Sequence, residues 1–177
     1  VDDSIYKSLS KKCFDQRKKY QEWHMLAHSG ISGLKQQMEA TLGISGRRWK
    51  GADSPMEREY VEVASLRNPD NHSHADIIDN DITDSGELPF ALIVRLEAGE
   101  RLYPKVGFRL PVAIRIRNGL VEYAPWDANK CQASPSSWTS QEATVNTLIQ
   151  SLDMHLEFDP LNGPPQKTGM GFIQLDE

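Results

Sequence analysis

The sequence predicts an α+β fold: an N-terminal helix, a four-stranded antiparallel meander, an irregular segment carrying a cysteine, and a helix that crosses the sheet. Three observations carry this expectation. Apolar residues recur at steps of three and four from Tyr6 to Ala27, and from residue 57 the period changes to two. A capping box at Thr139 and Glu142 then opens a second helical stripe. The strand candidates follow one another without an intervening helix, so the sheet should be antiparallel, with one face free to take helices.

The first helix begins at the N-cap candidates Asp2, Asp3 and Ser4. Tyr6, Leu9, Cys13, Tyr20, Trp23 and Ala27 form one stripe, with Gln16 in the single gap, so Cys13 is expected in a packed position. Lys7, Lys11, Lys12, Arg17, Lys18 and Lys19 cover the remaining surface, which reads as a solvated face or as a docking surface for an acidic partner. Gly30 and Gly33 are expected to break the helix, and a shorter apolar pattern through Leu34, Met38 and Leu42 ends at Gly43.

Residues 59–66 alternate like a strand, as do residues 89–97, where Phe90, Leu92, Val94 and Leu96 share a face. In the third strand, Val106 to Arg117, the shared face holds Phe108, Leu110, Val112, Ile114 and Ile116. Asn118-Gly119 then signals a type I′ hairpin, because both central residues of that turn need positive φ. The implied register sets Arg115 opposite Glu122 and Ile114 opposite Tyr123. The loop from Arg67 to Leu88 is rich in Asp, Asn and Ser and reads as mobile. Its His72 and His74, near Asp70, Asp76, Asp79, Asp81 and Asp84, show no fixed metal-ligand spacing. His24 and His28 share one helix face and read as ordinary boundary residues.

After Cys131, Trp138 is a hydrophobic-staple candidate, and Val145, Leu148, Ile149, Leu152 and Leu156 form a stripe that should lie across the sheet. Asp159-Pro160 should end that helix, Gly163-Pro164-Pro165 keeps the chain irregular, and Met170 to Leu175 suits a final short strand. One domain is expected over 1–177: a helical part at 1–43, a sheet at 57–124, an active-site segment at 125–138, a crossing helix at 139–158 and a tail at 159–177.

A net charge of −5 and a pI near 5.6 argue against a nucleic-acid binder. No segment approaches the roughly 18 apolar residues of a membrane span, and no signal-peptide pattern is present, so a cytoplasmic location is expected. Two cysteines make no disulfide framework. Cys131 sits in the polar run Asp127-Ala128-Asn129-Lys130-Cys131-Gln132, where a buried structural cysteine would normally have apolar neighbours. An accessible, chemically useful thiol is the expectation.

Tyr103-Pro104, Cys131, Trp138-Thr139-Ser140, the run from Thr144 to Leu152, and Asp159-Pro160-Leu161 resemble the ubiquitin-conjugating enzyme family in order and spacing. They look like that family's Tyr-Pro turn, catalytic cysteine, helix start, crossing helix and helix exit. The family's His-Pro-Asn, whose asparagine lies eight residues before the cysteine, is missing: Tyr123 holds that position, followed by Ala124-Pro125-Trp126. The chain looks more like the divergent conjugating-enzyme-like proteins of bacterial operons, including anti-phage signalling systems with a cyclic-nucleotide synthase.

That resemblance implies a transferase that holds a ubiquitin-like modifier, or the C-terminus of a nucleotidyltransferase, as a thioester on Cys131 and passes it to an amine. An activating enzyme docking on the first helix is implied too, and no cofactor or metal is expected. Thioesters exchange with thiols at little cost and stay reactive toward amines. By proximity, Asn129 or a backbone N–H beside Cys131 would stabilise the oxyanion, and Asp127 would orient or deprotonate the incoming lysine. Two other readings stand beside this one: a catalytically silent binding module of the same fold, and a metal-dependent hydrolase or nuclease built on the His72 to Asp84 loop.

Overall fold

The computed structural model of the protein describes residues 3–51, 55–97 and 106–157, together with the backbone of 173–176. Tyr103-Pro104, Asp159-Pro160-Leu161 and Gly163-Pro164-Pro165 lie outside the described residues. The architecture is α+β, with an N-terminal helix, antiparallel sheets and a later helix.

Helix α1 runs from Asp3 to Thr41 without interruption, so Gly30 and Gly33 do not break it. They serve close approach instead. A Cβ on Gly30 would stand 2.9 Å from Val121 Cγ1 and 3.3 Å from Ile114 Cδ1, and one on Gly33 would stand 3.0 Å from Gln141 Oε1. The two glycines let the helix approach side chains of two strands and of the later helix that a larger residue would hold off.

Only the later part of α1 is covered. At 1.5 Å per residue its 39 residues span roughly 58 Å, more than the sheet can cover. Ala27, Ile31, Leu34 and Met38 are fully buried, with Trp23 packed beside them, whereas Tyr6, Leu9 and Tyr20 are 69%, 59% and 56% exposed. The stripe expected to pack from Tyr6 onward therefore packs only from Trp23, and Cys13 is an exposed thiol rather than a core residue.

A small antiparallel pair, β1 (Arg48–Lys50) and β2 (Glu57–Glu59), precedes the main sheet. It takes the first residues of the expected first strand, leaving β3 (Val61–Ala64) in the main sheet. The order there is β3, β4 (Glu87–Leu96), β5 (Val106–Arg117), β6 (Leu120–Asp127) and β7 (Gln132–Ala133), all antiparallel. Strand β8 (Ile173–Asp176) pairs with the first part of β5, so the strands outnumber the expected four. The Asn118-Gly119 turn has φ of 51° and 76°, and Arg115 pairs with Glu122 and Ile114 with Tyr123, the register the turn implies.

The Arg67 to Leu88 segment is structured rather than a loose loop. Ser73 caps helix α2 (His74–Asn80), and Ile77 and Ile78 are buried in the core beneath α1. Helix α3 spans Gln141–Leu156 and buries Val145, Leu148 and Leu152 against the same core, while Leu156 is exposed. Its N-cap is Ser140, which accepts the Ala143 N–H. Thr139 instead exchanges two backbone hydrogen bonds with Tyr123, shifting the helix start by one residue.

The alternation along β5 divides the sheet into two faces. Phe108, Leu110, Val112 and Ile114 meet the helices. On the opposite face Ala113, Ala124, Trp126 and Ala133 form a smaller cluster, packed against Leu66 and Trp138. Cys131 belongs to this second face.

Candidate active site

Strands β6 and β7 form a hairpin whose loop is Ala128-Asn129-Lys130-Cys131, set by the pairing of Asp127 with Gln132. Asp127 closes the loop from inside. Its Oδ1 accepts the backbone N–H of Asn129 at 3.0 Å and of Lys130 at 3.2 Å, and Oδ2 lies 3.3 Å from Lys130 Nζ. The Lys130 backbone bond holds the Asp127 carboxyl below its ordinary value, opposed by partial desolvation and helped by the Asn129 amide and the Lys130 ammonium.

Cys131 follows at φ 52°, one of two residues other than glycine in the left-handed region among the described residues. A residue with a Cβ costs roughly 1–2 kcal/mol there, and glycine or asparagine is the usual occupant. The thiol is exposed, as expected, and Sγ lies 3.6 Å from the Ala128 carbonyl oxygen. The segment is thus an ordered hairpin tip rather than an irregular stretch.

The expected helpers have separable fates. Asn129 is exposed, two residues before the thiol, and among the described residues its side chain makes no hydrogen bond, so its carboxamide is unengaged. Asp127 and Lys130 are occupied with each other and with the turn. Tyr123, at the family's asparagine position, is 6% exposed and donates toward Gly30 O at 3.4 Å and Gln141 Oε1 at 3.3 Å. Burial raises its hydroxyl above the ordinary value. It belongs to the helix-covered face and offers Cys131 no donor.

Two clefts meet at Cys131. One, of about 370 Å³, is walled by Leu66, Pro89, Pro111 and Trp126, with Arg67 and Arg109 as its cations. The other, of about 580 Å³, is more polar and includes Arg115, Arg117, Glu87 and Trp138. Arg115 Nε lies 2.5 Å from Glu122 Oε2, and its guanidinium sits 4.3 Å over the Trp138 ring, fixing one wall. Trp138 thereby supports the cysteine loop from the side.

Sequence reasoning missed Arg109. It is 8% exposed, its Nη2 donates to Ser65 O at 2.8 Å, and its Nε has no acceptor among the described residues. Burial lowers the guanidinium from its ordinary value. The available signal was its position: a charge between Phe108 and Leu110 points to the face opposite the core, where Pro111 and Ala113 follow it.

The histidines of the 67–88 segment do not converge. His72 Nδ1 lies 2.8 Å from Val63 O, while His74 meets α1 through Ser32 at 3.5 Å and the His28 ring at 5.1 Å. His24 Nε2 pairs with Asp79 Oδ1 at 2.7 Å, so this boundary residue ties α1 to α2. Among the described residues no group of three or more His, Cys, Asp or Glu is placed to hold a metal ion. No described helix is long and apolar enough to cross a membrane. No protein-family model, curated protein or solved structure matches the chain.

Proposed function

We propose that the protein is a ubiquitin-conjugating-like acyl carrier with Cys131 as its nucleophile. The observation that carries this reading is the pairing of exposure with strain. A thiol stands at a hairpin tip, between two clefts, in a backbone conformation that glycine would adopt without cost. Structural cysteines are usually buried. Retaining a Cβ and sulfur in that position makes sense if the sulfur is used.

The Cys131 thiolate attacks the carbonyl of an incoming thioester, forming an S–C bond as the donor thiol leaves. An amine then attacks the same carbonyl, forms the C–N bond and expels the Cys131 thiolate, losing its proton to solvent or a base. The two clefts suit the two partners, one for the acyl chain and one for the amine. Asn129 is the side chain available to the oxyanion. The backbone-bound Asp127 acts as the turn's clamp, a better fit to its contacts than a free base.

The acyl group in this reading is the C-terminus of a ubiquitin-like modifier or of a nucleotidyltransferase, in a bacterial, cytoplasmic, anti-phage setting. An activating enzyme would meet the exposed lysine face of α1. The ladder of consecutive antiparallel strands followed by a crossing helix supports the resemblance.

Loading tests this directly. Protein recovered with its native genomic neighbours should carry a mass adduct that neutral hydroxylamine removes, located on Cys131 and not on Cys13, which is also exposed. An adduct on both thiols, or on neither, would remove the proposal.

A further inference from the structure

The 370 Å³ cleft beside Cys131 has an unusual composition. Its walls include Leu66, Pro89, Pro111 and Trp126, and two arginines, Arg67 and Arg109, line it. Arg67 is exposed and occupied: Nη1 donates to Asn80 O at 3.0 Å, and Nε lies 3.9 Å from Asp81 Oδ1. Arg109 differs. It is more than nine-tenths buried, and one carbonyl oxygen, Ser65 O, is the acceptor it has among the described residues. No carboxylate pairs with it there.

A buried cation without a counter-charge is costly, because desolvation is not repaid. Guanidinium carries five N–H donors in a fixed fork, so a cation using one of them retains most of its capacity for an anion. Apart from the Thr83 side chain and the Cys131 thiol the remaining walls are apolar, which suits a ligand whose charge is confined to one end. A phosphate, which favours several cations and open polar walls, fits less well. A cavity of this size accepts a short side chain.

We propose that this cleft is a carboxylate subsite: Arg109 takes an anionic end group on a short apolar stem, placed beside the Cys131 thiol. The stem lies against Trp126 and the two prolines. For its role in catalysis the inference rests on the acyl-carrier reading, where it makes an acidic residue near the delivered terminus a recognition element. Binding itself is read without any acyl transfer.

Cys131 reports on the cleft by alkylation, in which the thiolate displaces iodide from a small reagent. The Cys13→Ser protein leaves Cys131 as the reporting thiol. Relative to N-acetylcysteine, iodoacetate should be favoured over iodoacetamide by about tenfold, since one charge-assisted hydrogen bond is worth that much. Arg109→Gln should return the ratio to the reference value, and Arg109→Lys should keep part of the preference.

A second measurement needs no change in the cleft. Isovalerate should protect Cys131 from iodoacetamide saturably, and isovaleramide should not. Protection also by a capped alanyl-glutamyl-alanine peptide assigns the anion to a side chain of a delivered chain; protection by isovalerate alone assigns it to a free small acid. Equal protection by isovalerate and isovaleramide, or inorganic phosphate protecting as well as isovalerate, would overturn the subsite. Either result leaves hydroxylamine-labile loading of Cys131 to stand or fall separately.

Discussion

Asp127 and Lys130 are joined at both ends of one carboxylate: Oδ1 accepts the Lys130 backbone N–H at 3.2 Å, and Oδ2 lies 3.3 Å from its Nζ. The carboxyl is lowered in the folded protein, so its contribution is present above the ordinary carboxylate value and lost as pH falls through the lowered one. The Asn129 and Lys130 amide shifts in NMR should hold steady from neutral pH to about 4 and then move with a midpoint below 3.8, the ordinary value. A midpoint at or above that value contradicts the clamp. Asp127→Ala should speed hydrogen exchange at both amides.

Cys131 adopts a left-handed backbone that glycine tolerates freely. Replacing it with glycine relieves that cost but loosens the unfolded chain, so Cys131→Gly should be more stable than Cys131→Ala by about 0.5–1 kcal/mol in urea unfolding. Equal stabilities would mean that the turn carries no strain at this residue.

Gly30 and Gly33 lie in one helix and should respond differently to alanine. Alanine favours helix over glycine by about 1 kcal/mol at either site. At Gly30 the added methyl meets branched Val121 and Ile114, and overpacking of this kind costs about 1–3 kcal/mol. At Gly33 it meets the end of the flexible Gln141 side chain at 3.0 Å, which need give by only a few tenths of an ångström while keeping its bond to Gly33 O. Gly30→Ala should therefore lower the thermal midpoint, Gly33→Ala should leave it nearly unchanged or raise it, and Val121→Ala should rescue the first.

The contrast shows what was legible in the sequence. The hairpin at Asn118-Gly119 was readable to the residue because turn chemistry and a period of two are local properties. Both α1 glycines looked like helix breakers because what each approaches is remote in sequence: strand side chains at Val121 and Ile114 for Gly30, and Gln141 of α3 for Gly33. Helix α2 was hidden in a polar segment, with only Ile77 and Ile78 to mark its buried side. In α1 the apolar period continued past the edge of the core, and periodicity alone does not say where cover ends. The site divides the same way. Exposure of Cys131 followed from its polar neighbours, whereas its sharing one cleft with Arg109 depends on which strand faces meet.

The basic surface of α1 is solvent-exposed at Lys11 and Lys18. Reversing both charges should leave folding stability within about 0.5 kcal/mol of the parent, as for other exposed sites. If an activating enzyme docks there, the same change should slow loading of Cys131 by tenfold or more, measured as adduct formed per minute. Unchanged loading would move the docking site elsewhere.

The acyl-carrier reading is tested most directly by Cys131→Ser in the native genomic setting, followed by intact-mass analysis with and without neutral hydroxylamine. A serine oxygen should trap the acyl group as an ester, giving an adduct that survives hydroxylamine where the wild-type adduct is released. A wild-type protein that carries no labile adduct, with a serine variant of unmodified mass, would contradict the assignment of Cys131 as an acyl-carrying nucleophile.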